Sequence, residues 1–128
     1  MIRFSRALAI VAGVFLPIAE TTRRWHELGD IRAAPFWLDD WLIGAFLLYG
    51  AWRTRRSDPS GRVVLAAAWG FACGQVYASF FGQLALIDQA DPSGLSGATV
   101  VAIKGAMFAL AITALLFAVV DPQGRPRA

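Results

Sequence analysis

From Val63 to Ile87 the chain runs for twenty-five residues without one charged side chain. As a helix rising 1.5 Å per residue, that run is about 37 Å long, more than the ~30 Å of hydrocarbon in a bilayer. Three further apolar runs accompany it. Ala7 to Ala19 lies between Arg6 and Glu20; "APFWLDDWLIGAFLLYGAWRTRR" starts at Ala34; and Gly97 to Val120 is interrupted only by Lys104. Hydrophobic residues make up 57% of the 128 and charged ones 16%, against about 25% charged in an ordinary soluble domain, so lipid is the solvent to reason with.

Backbone groups in lipid must satisfy one another, and no alternating barrel pattern is present, so the runs read as helices. The expectation is an all-α integral membrane bundle, a single domain of four transmembrane helices over approximately 5–21, 35–53, 63–87 and 97–120. The clusters "SDPSG" (Ser57 to Gly61) and "DPSG" (Asp91 to Gly94) supply turns between the later helices.

Arginines set the expected orientation. Arg3 and Arg6 precede the first run, Arg53, Arg55, Arg56 and Arg62 fill the second connection, and Arg125 and Arg127 follow the last run. By the positive-inside rule these segments face the cytoplasm, with both termini inside a plasma or bacterial-type inner membrane. The opposite side mixes Arg23, Arg24 and Arg32 with Glu20, Glu27, Asp30, Asp88 and Asp91. The formal charge of +3 then reports topology and contact with lipid, and no nucleic-acid partner is expected. A second reading of the amino terminus stays open: two arginines, a short apolar stretch and small residues near Ala19 also describe a cleaved signal peptide. Cleavage would leave three crossings.

The second run poses the chemical question. Only twelve residues separate Asp40 from Arg53, about 18 Å of helix, too short to cross unless the helix starts near Pro35 and carries Asp39 and Asp40 into the outer leaflet. There the aspartates either begin the helix in wet surroundings, beside Trp37 and Trp41 at headgroup level, or belong to a buried polar site. Charges within a bilayer are costly, by about 2.5 to 3.5 kcal/mol each at a helix centre, and so tend to pair. Alternating helix directions bring Glu20, Asp39, Asp40, Gln83 and Lys104 to similar depth, with Gln75, Ser79 and Gln83 forming one row of the third helix. These seven residues are the candidate polar or ion site. A Lys104 pairing with an aspartate and a Lys104 snorkelling to the nearer surface are both open readings.

Small residues recur every four positions in the third run: Gly70, Gly74, Ala78 and Gly82, with "GFACG" a GxxxG match. Such a row admits a second helix at close range, from the same chain or from a homo-oligomeric or other membrane-protein partner. In the first connection Trp25, Leu28 and Ile31 recur at three-residue spacing, as in a short helix lying on the membrane surface.

Little points to catalysis. One cysteine, Cys73, and one histidine, His26, leave no cysteine cluster and no bis-histidine site, so neither metal nor cofactor is expected. Nucleophile-elbow, phosphate-loop, dinucleotide and zinc motifs are absent from the sequence. Two functions stay in view: a structural or accessory component of a membrane complex, and a small ion, proton or solute transporter built on the acid and lysine cluster.

Overall fold

The computed structural model describes residues 1–56 and 59–120, with Phe36 described by its backbone alone. Four helices carry the described chain: α1 (Ile2–Arg23), α2 (Ala34–Arg53), α3 (Ser60–Leu84) and α4 (Gly97–Val119). Of these, α1, α3 and α4 are long and apolar enough to cross a membrane. The α2 helix has 20 residues, about 30 Å at helical rise, but contains Asp39, Asp40 and Arg53. Ser57 and Asp58 of the first turn cluster, and Arg125 and Arg127, lie outside the described residues.

Each helix packs on its neighbour in sequence, and α4 returns to α1 to close a ring whose lightest seam is this last one. Neighbours are antiparallel. Ser5 near the start of α1 meets Ala114 near the end of α4, and Arg62 at the start of α3 meets the last residues of α4. One end of the bundle therefore collects Arg3, Arg6, Arg53, Arg55, Arg56 and Arg62; the other collects Glu20, Asp39, Asp40 and Asp91. We refer to them as the arginine-rich and acidic ends.

Burial is lopsided. Ala9, Leu47, Ala51, Leu65, Ala68, Ala72, Ala114 and Ala118 are all buried, and all lie in the arginine-rich half or at mid-depth. Small side chains there let backbones close up. The fully buried Ser5 hydroxyl donates to the Ala114 carbonyl at 2.8 Å, an interhelical bond with no water to compete for it. Arg62 donates to the carbonyls of Ala118, Phe117 and Val120, groups that the end of α4 leaves without helical partners. Between α2 and α3, a Cβ on Gly61 would lie 2.5 Å from the Arg53 carbonyl oxygen, so only glycine fits the turn. Arg53 also donates to Ser60 across that turn.

The α1–α2 crossing is made by Gly13, Pro17 and Gly44: a Cβ on Gly44 would come within 2.7 Å of the Gly13 carbonyl oxygen. The row in α3 serves no such seam within the chain. A Cβ on Gly70, Gly74 or Gly82 would meet nothing within 4 Å, and Ala78 is exposed as well. The core face of α3 is instead Leu65, Ala68, Trp69 and Ala72. Side-chain size permits close approach but does not choose the face: α3 buries Ala68 and Ala72 beside Leu65 and Trp69 and leaves Gly70, Gly74 and Gly82 facing outward.

The first connection also departs from expectation. It forms a three-residue 3-10 turn, Trp25–Glu27, and then successive turns rather than a helix to Ile31. Asp30 N–H bonds to the Glu27 carbonyl and Ala33 N–H to the Asp30 carbonyl, while the Asp30 carboxylate accepts from Arg32 N–H. An aspartate that takes up a nearby backbone donor competes with helix continuation. Trp25 and Ile31 are exposed.

Candidate functional site

At the acidic end the ring opens. Glu20, in the last turn of α1, is 9% exposed and engages Arg24, which also reaches Glu27 at 3.0 Å. Arg23 stands 3.9 Å from the same carboxylate. Trp41 donates its indole N–H to Thr21 at 3.0 Å, tying the start of α2 to the end of α1 and fixing the depth of the preceding aspartates.

Asp39 and Asp40 have no hydrogen bond or ion pair among the described residues. Both line a cleft of about 910 Å³ together with Glu20, Gln75, Ser79 and Lys104. Of the seven polar residues expected to converge, only Gln83 is missing from its wall. It acts one step behind: its Oε1 accepts from Lys104 Nζ at 3.2 Å. The pairing of Lys104 with an aspartate is therefore not formed. Gln83, on the adjacent helix, satisfies the ammonium while its charge stays uncompensated by contact. Tyr77, by contrast, packs on Phe81 and Phe108, on the exposed face of the α3–α4 pair.

Four polar residues outside the expected set also line the cleft, Arg23, Arg24, Asp91 and Ser93. Asp91 sits in the turn between α3 and α4, where Gly94 takes a φ of 85° and the Asp91 carboxylate accepts from Ser93 N–H at 2.9 Å. Hydrogen bonding from Ser93 holds this carboxyl below its ordinary pKa. Ser96 caps α4 by accepting from Thr99 N–H, and a Cβ on Gly97 would lie 2.3 Å from the Ile87 carbonyl oxygen, so the turn is folded tightly against the end of α3. "DPSG" announced a turn; that it would reach the polar cleft depends on where α3 ends.

Deeper in the bundle the cleft meets an apolar chamber of about 230 Å³, the two sharing Phe15, Leu16, Val76 and Met107 in their walls. Leu8, Ala12, Leu47, Trp69, Ala72 and Ala111 complete its inner surface, and Val11 and Leu110 form an exposed rim along the α1–α4 seam. No group of three His, Cys, Asp or Glu side chains among the described residues is disposed to hold a metal ion, although four acids share the cleft. His26 is exposed in the 3-10 turn.

Comparison of the chain with protein-family models, with curated proteins and with solved structures finds no match. Function has to be argued from the site.

Proposed function

We propose that the chain is a four-span membrane bundle that binds a small solute in the cleft at its acidic end as one stage of carrying it across the bilayer. One observation carries the reading: among the described residues Asp39 and Asp40 stand without partners on the wall of a cleft of about 910 Å³ in a largely apolar bundle. Unpaired charge is expensive near hydrocarbon, and a chain retains it where something else neutralises it. On this reading α2 is the fourth span, entering from the acidic side with Pro35 in its first turn and both aspartates within two turns of its start. The arginine-rich end is cytoplasmic, so the cleft opens outward.

Flux into liposomes tests the proposal directly. The protein should raise uptake of at least one member of a panel of inorganic cations and small amines above that of empty liposomes. Replacing both aspartates with Asn should return uptake to that background while the protein still elutes as a single species. Wild-type uptake no greater than background across the panel would sink the reading.

A second reading has its own support. Gly70, Gly74 and Gly82 leave one face of α3 open to the approach of another helix, as an accessory component assembling with itself or another membrane protein requires. Native mass spectrometry from mild detergent would show a larger species, dispersed to single chains by Gly74→Ile. A single-chain mass for the unmodified protein counts against it.

A further inference from the structure

The cleft and the chamber beneath it adjoin along the α1–α4 seam as two parts of one gap, with Phe15, Leu16, Val76 and Met107 common to both walls, and the two parts have opposite chemistry. The chamber wall is aliphatic and aromatic: Leu8, Ala12, Leu47, Trp69, Ala72 and Ala111 present no charged group to it. Its 230 Å³ exceeds the roughly 150 Å³ of an apolar protein cavity that holds a benzene ring, so a phenyl group or short alkyl chain fits. The cleft above carries four acids, Glu20, Asp39, Asp40 and Asp91, and three bases, Arg23, Arg24 and Lys104.

The pairing within that set decides the sign. Glu20 is engaged by Arg24, with Arg23 near, and Arg24 is shared with Glu27. Lys104 donates to an amide oxygen. Asp91 accepts from Ser93 N–H. Two carboxylates, Asp39 and Asp40, on one turn of α2, are left without a partner among the described residues; Lys104 and Asp91 hydrogen-bond only to neutral groups, and four acids against three bases leave the cleft net negative. At the opposite end Arg53 and Arg62 are turned onto Ser60 and the α4 carbonyls.

We infer that this gap takes an amphipathic organic cation, with its ammonium group against Asp39 and Asp40 and an aromatic or short alkyl body in the chamber below. The inference rests on the cleft being a solute site and adds the chemical class of the solute. The α1–α4 seam is the lightest in the ring, and its apolar rim is exposed, so such a molecule reaches the chamber from the lipid as readily as from water. Direct contact with a carboxylate makes the head group specific, and the chamber makes a bare ammonium ion a poor substitute.

Equilibrium dialysis of the full chain in a maltoside detergent provides the test, with phenylpropyltrimethylammonium and phenylpropanesulfonate as probes of similar body and opposite charge. The cation should bind at least about tenfold more tightly than the sulfonate, a factor within reach of Coulombic attraction to a partly desolvated carboxylate. Asp39→Asn and Asp40→Asn should each weaken the cation severalfold and leave neutral phenylpropanol unchanged. Both are isosteric and remove no bond, so either variant carries the test if the other folds poorly. Ala12→Leu, which fills the chamber from a partly exposed position, should weaken the cation and phenylpropanol together but not tetramethylammonium.

A sulfonate that binds as tightly as the cation, or a cation affinity untouched by the double Asn variant, overturns the inference while leaving the cleft a binding site. If neither organic probe binds but uptake of an inorganic cation still depends on the aspartates, the inference fails and the transport reading stands. An amine-bearing lipid headgroup and a water-soluble amine share this chemistry. Competition by phosphatidylethanolamine in mixed micelles identifies the lipid as the source, and its failure to compete identifies the soluble amine; either result keeps the cation assignment.

Discussion

The two ends of this bundle handle polar side chains in opposite ways. At the arginine-rich end, Ser5, Arg53 and Arg62 bond across helices or turns, and small residues draw the backbones together. At the acidic end, Glu20 and Lys104 find partners, but Asp39 and Asp40 do not, and the helices part around a cleft. A polar group that completes a helix end stabilises the fold. One held without a partner near lipid does not, and under the proposed function a bound solute offsets its cost. On that proposal stability and recognition are concentrated at opposite ends of one bundle.

That contrast can be broken by substitution, and the largest effect at the arginine-rich end belongs at Gly61. The Cβ of alanine there would overlap backbone that cannot swing aside, so Gly61→Ala should cost about 2 to 3 kcal/mol. A clear drop in the unfolding midpoint on titration with a denaturing detergent is the expected reading. Arg62→Ala comes next, at about 2 kcal/mol, because it uncouples α3 from three carbonyls at the end of α4. Amide exchange should rise specifically in the last turn of α4, and unchanged protection there would deny Arg62 its role.

Ser5→Ala removes one buried bond and should cost about 1 kcal/mol, or nearer 0.6 if the average for interhelical contacts in membranes applies. The smallest effect on stability belongs at the acidic end. Asp40→Asn deletes a charge but no bond, and its midpoint should stay within about 0.5 kcal/mol of the parent, or rise, while solute uptake falls. A strongly destabilised Asp40→Asn protein would make the aspartate structural and erase the distinction between the ends.

Much of the candidate site could be read from spacing. Once the runs are taken as antiparallel helices, depth alone brings Glu20, Asp39, Asp40, Gln75, Ser79 and Lys104 toward one another, and all six line one cleft. What depth does not give is the partner. Lys104 lies opposite acids of suitable charge, but Gln83 on the adjacent helix reaches it at 3.2 Å. Arg23, Arg24, Asp91 and Ser93 were not among the expected site residues because all lie at helix ends or in connections, and their entry into the cleft depends on how the connections fold back. The four-residue row Gly70 to Gly82 was legible as small and not as outward-facing. Nor did anything in "FSRALAIVAG" mark Ser5 as a buried donor to Ala114.

The sequence by itself determined the four helices and the suitability of three of them for lipid, since long, strongly apolar runs close their backbone hydrogen bonds as helices. It also determined which charges gather at which end, because antiparallel connection converts order along the chain into depth. Only the tertiary structure decided which face of each helix turns inward, which seam stays loose, and which carboxylates are left unpaired. In a soluble helix, polar residues mark the outer face and settle its rotation. Here lipid is as apolar as the core, so the rotation of each helix follows from close contacts such as Gly44 on Gly13 and Gly61 on Arg53, which exist only once the helices meet.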